Sequence, residues 1–237
     1  MDIEQRFARW SGWLKIITSD ITRLAIHRHV FWETSKIIRA NPNIHTPSAF
    51  YSWMRNAYAT DISIGIRRQL DTRKNVVSFA NLLRELIKFP EVMSRDRFVT
   101  LYKGSVVERF ADGDFDRFAG QGMTHIDSQK VKVDLGQLDQ SWRIAERFVN
   151  EHIAHVSKQA IEELKAGITQ PPTFDDLDKC QDCLEELLKK YILLFEAKNW
   201  VTVLPEFADY WQEIFTEPWI VPSHQRGLGV QVDAILK

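Results

Sequence analysis

Apolar residues recur along this chain at spacings of three, four and seven, the period of helices that bury one face. Residues 2–40 carry that pattern, with a potential break at Thr18-Ser19-Asp20, where Ser19 or Asp20 is placed to cap a second segment. Asn41 to Pro47, with two prolines, reads as a turn. A long helix is expected from about Pro47 to Asp71, since proline suits a first helical position. Residues 76–90 form another amphipathic helix stopped by Pro90, and Ser94 to Phe110 a shorter one.

The pattern breaks over 111–133. Gly113, Gly120, Gly122 and several aspartates predict a long irregular loop there, with one helical turn at Phe115–Ala119. Long loops inside compact domains are often functional or mobile. Lys130 to Asp134 alternates without an obvious strand partner, and Asp134 is placed to cap the next helix. In that helix Trp142, Val149, Ile153, Val156 and Ala160 line one face, and Gly167 to Pro172 ends it. Thr173, with Asp176 three residues later, makes an acidic relative of a capping box for a helix to about Lys198. A last helix spans Leu204 to Phe215. The sum is an all-α bundle of about five to seven helices around one core. It is read as a single domain over 1–216 with an irregular tail at 217–237, where Pro218, Pro222, Gly227 and Gly229 fall.

Charge narrows the function classes. Thirty-one Lys and Arg stand against 32 Asp and Glu, so nucleic-acid binding needs a local basic patch. Arg67, Arg68, Arg73 and Lys74 supply one at the end of the second long helix, although a helix C-terminus stabilises cations without any ligand. No apolar run is long enough for a spanning helix. The opening Met-Asp-Ile-Glu-Gln-Arg lacks a signal-peptide layout, so a cytoplasmic protein is expected. Cys180 and Cys183 have metal-site spacing but no second pair, and read as packing residues. His27 and His29 point in nearly opposite directions on a helix, and His45, His125 and His224 fall in loops. The aromatics Trp200, Phe207, Tyr210, Trp211, Phe215 and Trp219 read as core or interface at helical spacing. No glycine-rich phosphate loop, nucleophile elbow or paired Cys/His signature is present.

The chemistry concentrates between residues 142 and 158. Arg147, Glu151 and His155 are consecutive i,i+4 neighbours, and His152 lies between that stripe and the core. Arginine grips phosphate through two parallel hydrogen bonds, and imidazole moves protons near neutral pH. Glu151, His152 and His155 also have chelating spacing, but the cation at Arg147 disfavours a metal there.

Asn150-Glu151-His152-Ile153-Ala154-His155, late in a helical bundle, resembles the HEPN superfamily, in its AbiU-type abortive-infection branch. Ala57 to Asp71, Val77 to Leu83 and Thr173 to Leu177 support the resemblance by their order, which covers residues 50–200. The resemblance implies a defence or toxin–antitoxin protein, a metal-independent endoribonuclease with no cofactor. It implies a homodimer, RNA as ligand, a cognate antitoxin or regulatory protein as partner, and no membrane. Arg147, Asn150, His152 and His155 then become catalytic. Asp71 and Glu151 support them, and Arg67, Arg68, Arg73 and Lys74 hold the RNA backbone. An arginine, four residues and a histidine fits Arg147 and His152. The Ile-Ala-His ending favours His155, and counting back from it puts Val149 at the arginine position. On one straight helix Arg147 and His152 differ by about 140°, and Arg147 and His155 lie about 12 Å apart along the axis. Convergence on one phosphate therefore calls for two chains paired about a two-fold axis. The competing reading is a non-catalytic helical dimerisation or protein-interaction module.

Overall fold

Serine and threonine caps set the helix starts. The Ser48 hydroxyl accepts from the Tyr51 amide at 3.3 Å, Ser78 from Asn81 at 3.1 Å and Ser94 from Arg97 at 3.3 Å. Thr173 and Asp176 form the expected reciprocal capping box. Each cap satisfies amides that a helix start leaves without a partner. The computed structural model describes residues 2–42, 44–45, 48–148, 162, 166–167, 173–207 and 210–216, with only the backbone at 144–145 and 147–148. Among the described residues the chain is all α: seven α-helices, three short 3-10 segments and no strand. The helices are α1 (Ile3–Ala40), α2 (Ala49–Leu70), α3 (Phe79–Lys88), α4 (Arg95–Tyr102), α5 (Ala111–Ala119), α6 (Ser128–Phe148) and α7 (Phe174–Glu196). None of them is long and apolar enough to cross a membrane.

Two compact units share the chain. The first comprises residues 1–31 and 47–205, the second 32–46 and 206–237. In the first unit α6 packs on α3 and α7, and α2 lies against α7, α3 and α6. Trp10, Leu14, Ile17, Ile21 and Leu24 bury one stripe of α1, and Leu184, Leu188, Tyr191 and Leu194 one stripe of α7. Gly65 lets α2 approach α1, because a Cβ there would sit 2.4 Å from a methyl of fully buried Leu24. In the second unit the Arg39 guanidinium lies over the Trp32 ring at 5.9 Å.

Several expectations are corrected. The first helix is unbroken through residues 18–20. Asp20 does not cap; its carboxylate accepts from Gln69 at 3.0 Å and pairs with Arg68. The second helix begins at Ala49 behind Ser48, and the helix expected from residue 76 begins at Phe79. The helix expected over 94–110 stops at Tyr102, just before Gly104 in the left-handed region (φ 78°). The largest correction is at 111–133, which is no long loop. Ala111, Phe115, Phe118 and Ala119 are buried at helical spacing, so burial outweighs the glycine and aspartates. Those aspartates have a different purpose: Arg95 binds Asp112 at 2.8 Å and Asp116 at 2.5 Å. The irregular stretch shrinks to residues 120–127. Among the described residues of the helix expected over 204–215 are irregular chain at 204–207 and a 3-10 segment, Trp211–Phe215. Pro205 opposes helix at its start, because the residue before a proline avoids the α region. The expected tail at 217–237 lies outside the described residues.

Asp134 is likewise no cap. It lies buried inside α6, taking hydrogen bonds from Lys190 at 2.7 and 2.8 Å and from the Tyr191 hydroxyl at 2.7 Å. Removing one member of a buried ion pair leaves the other uncompensated. Asp134→Ala should cost on the order of 3 kcal/mol, toward the low end of that class because Lys190 still reaches solvent. Asp134→Asn, which keeps an acceptor for Tyr191, should lose less. Urea unfolding of the two variants checks the order.

Candidate functional site

The C-terminal end of α2, the loop after it and the last turns of α6 enclose a cleft of about 1090 Å³. Ile64, Arg67, Arg68 and Leu70 come from α2, and Asp71, Thr72, Arg73 and Val76 from the loop. Asp139, Trp142, Arg143 and Glu146 come from α6. Side chains three, four and seven apart share a helix face, which is why these four line one wall. The loop is fixed: Asn81 donates to the carbonyls of Arg73 and Val76, both at 2.9 Å, and Ser78 donates to that of Asp71.

Four arginines here face three carboxylates, so pairing decides which cations remain for a ligand. Arg73 is committed: its Nε lies 2.9 and 3.0 Å from the two Asp71 oxygens. That guanidinium holds the Asp71 carboxyl below its ordinary range, and the carboxylate raises Arg73 in turn. Arg68 Nε lies 3.3 Å from Asp20. Arg67 and Arg143 are exposed and form no ion pair within 4.0 Å among the described residues, although Arg67 adds to the positive field that holds the Asp71 carboxyl down. They line the cleft from different helices, Arg67 from α2 and Arg143 from α6.

The structure thus brings Arg67, Arg68, Asp71 and Arg73 together with α6. Lys74 is exposed and does not line the cleft. Arg147 lies in α6 one turn beyond Arg143. Asn150, Glu151, His152 and His155 lie outside the described residues. Arg143, Asp139 and Glu146 were missed by the sequence reading. Arg143 and Glu146 fall inside the 142–158 stretch but were given no role there, and Asp139 lies just before it.

Other candidates settle into structural roles. Cys180 is buried, and its thiol, pushed up to about 12 by burial, donates to the Ser141 carbonyl at 2.8 Å. No group of three metal ligands occurs among the described residues. His27 is part of a bridge between α1 and α2, with Nδ1 2.6 Å from Asp61, which also takes a hydrogen bond from Arg23. Burial alone would raise the Asp61 carboxyl, but these two partners hold it below its ordinary range. A second bridge joins Arg28 to Asp182 and Glu185 of α7 at 2.5 and 2.9 Å.

An all-α architecture among the described residues, with an arginine-lined cleft beside a helix whose sequence runs on into an Arg-and-His segment, fits the HEPN class. The HEPN_AbiU2 family model (AbiU2) matches residues 10–214, and the chain belongs to that family, which is of the abortive-infection, defence type. No curated protein and no solved structure matches the chain.

The pairing pattern predicts opposite effects from neighbouring substitutions. Arg67→Ala and Arg143→Ala should each weaken retention on heparin. Asp71→Asn should strengthen it by releasing Arg73. Elution salt concentration reads all three, and equal elution of all variants would show that the cleft meets no polyanion.

Proposed function

We propose that this AbiU2-family protein binds RNA through the cleft between α2 and α6 and cleaves it without a metal ion. The observation that carries the reading is that Arg67 of α2 and Arg143 of α6 line one cleft, with Arg147 one turn farther along α6 in the sequence. Guanidinium groups without carboxylate partners are suited to phosphate, and phosphate contacts supply most of the affinity for nucleic acid.

Cleavage would proceed by attack of a ribose 2′-oxygen on the adjacent phosphorus. One histidine of the pair His152 and His155 takes the hydroxyl proton as general base. A histidine protonates the departing 5′-oxygen as general acid. The products are a 2′,3′-cyclic phosphate and a 5′-hydroxyl, so no water or oxidant is consumed. Arg147 stabilises the charge that gathers on the non-bridging oxygens, and Asn150 orients a histidine or the phosphate. Two copies supply the site, because Arg147 and either histidine diverge on a single helix. A cognate antitoxin or regulatory protein is the further partner this reading implies.

A non-catalytic interaction module is the second reading. The near balance of charge in the cleft and Val149 at the arginine position both favour it.

The deciding test is incubation of a mixed RNA pool in EDTA with the purified protein and with His152→Ala/His155→Ala. Loss of one general acid–base group costs about 10²–10⁴-fold, so the double variant should be inactive while keeping its helical content. Fragments ending in 2′,3′-cyclic phosphate from the unaltered protein alone are the expected result. An intact pool after incubation with folded dimer would overturn catalysis and favour the module.

A further inference from the structure

One face of α2 stays uncovered from its first turn to the cleft. Phe50, Trp53, Ala57, Thr60, Ile64, Arg67 and Arg68 are all exposed, and at 100° per residue they fall within one ~100° sector. Phe50 is 51% and Trp53 64% exposed, high values for large aromatic side chains. Their rings form a pair with centroids 5.8 Å apart at 37°, and Tyr51 meets Phe50 edge-on at 5.7 Å. The opposite face, with Tyr58, Ile62, Gly65, Ile66 and Gln69, is buried, so this sector is the helix's outward side. No acidic residue occurs within it. Asp61, at its margin, is held by Arg23 and His27.

We infer that this face is a binding track for single-stranded RNA, in which Trp53 and Phe50 stack bases while Arg67 holds the phosphate backbone where it enters the cleft. The inference rests on the RNA-binding reading above and adds the strand's form and path. Trp53 and Arg67 are fourteen positions apart, about 21 Å along the axis, a span of several nucleotides rather than one. Aromatic platforms joined to a line of cations are how proteins hold single strands with little sequence preference. A base paired within a duplex has its faces covered, so the aromatic end of the track would select against double strands. Ile64 lies between the two ends and lines the cleft, which makes aromatic platform and arginine wall continuous.

The test uses fluorescence anisotropy with the full chain and a short, labelled 2′-O-methyl oligoribonucleotide, which lacks the nucleophilic hydroxyl. The same oligomer annealed to its complement is the duplex control. Trp53→Ala should weaken single-strand binding about tenfold, as loss of one stacked base does, with Trp53→Phe recovering most of the affinity. Its salt dependence should be unchanged, whereas Arg67→Ala should lower the slope by about 0.7. Both side chains are exposed, so the melting temperature should hold. Trp53→Ala that binds like the unaltered protein, while Arg67→Ala weakens binding, would overturn the track and leave RNA binding standing. No binding of either oligomer by the unaltered protein would overturn both. A Trp53→Ala variant that changes from dimer to monomer by light scattering would overturn the track by assigning the face to a second copy.

Discussion

The cleft depends on where α6 is held, and the buried carboxylate of Asp134 is the strongest of the contacts that hold it. A carboxylate inside a helix bundle is costly unless it is fully paired. Here Lys190 and Tyr191 occupy it from the facing helix. The helix has further anchors. At its start Ser128 donates to the Ile87 carbonyl at 3.0 Å, tying it to α3. Farther along, the Cys180 thiol reaches the Ser141 carbonyl, and Trp142 is buried beside it. These contacts fix the rotation of α6 about its axis. That rotation decides that Asp139, Arg143 and Glu146, rather than their neighbours, face the end of α2.

The end of α2 is under a similar constraint. Its arginines would form a simple basic patch were they not divided by acids. Asp20, from the unbroken first helix, takes Arg68 and Gln69, and Asp71 takes Arg73. The pairings reduce the field of the cleft but sharpen its geometry, because a guanidinium held by two carboxylate oxygens is fixed in direction. A chain of net charge −1 attracts polyanions weakly over long range. Selectivity in such a cleft must come from local contacts more than from steering.

Much of this was legible in the sequence, for identifiable reasons. The capping box at Thr173 and Asp176 is a local signal, and local signals survive folding. The family resemblance was carried by short segments in the right order, and the match over residues 10–214 supports it. What was misread shares one cause. Asp112 and Asp116 looked like loop composition because their partner, Arg95, is far away in sequence. Asp134 looked like a cap because its partners come from residues 190 and 191. Asp20 looked like a break because Gln69 was not in view. A charged residue near a glycine has a local reading and a tertiary one, and only the fold chooses between them. Arg143 was overlooked for the opposite reason: nothing local marked it, and its place in one cleft with Arg67 follows from how α2 meets α6.

The departure at Val149 takes on a definite meaning against this frame. Positions 147 and 149 differ by about 200° on a helix, so an arginine moved from one to the other changes side, not merely depth. Position 147 lies one turn beyond position 143 in α6, about 40° from it on a helix. Under the RNA-cleaving proposal, a phosphate held from the cleft would call for histidines from a second copy. An arginine at 149 would relax that demand. Under that proposal its absence makes catalysis and self-association a single question.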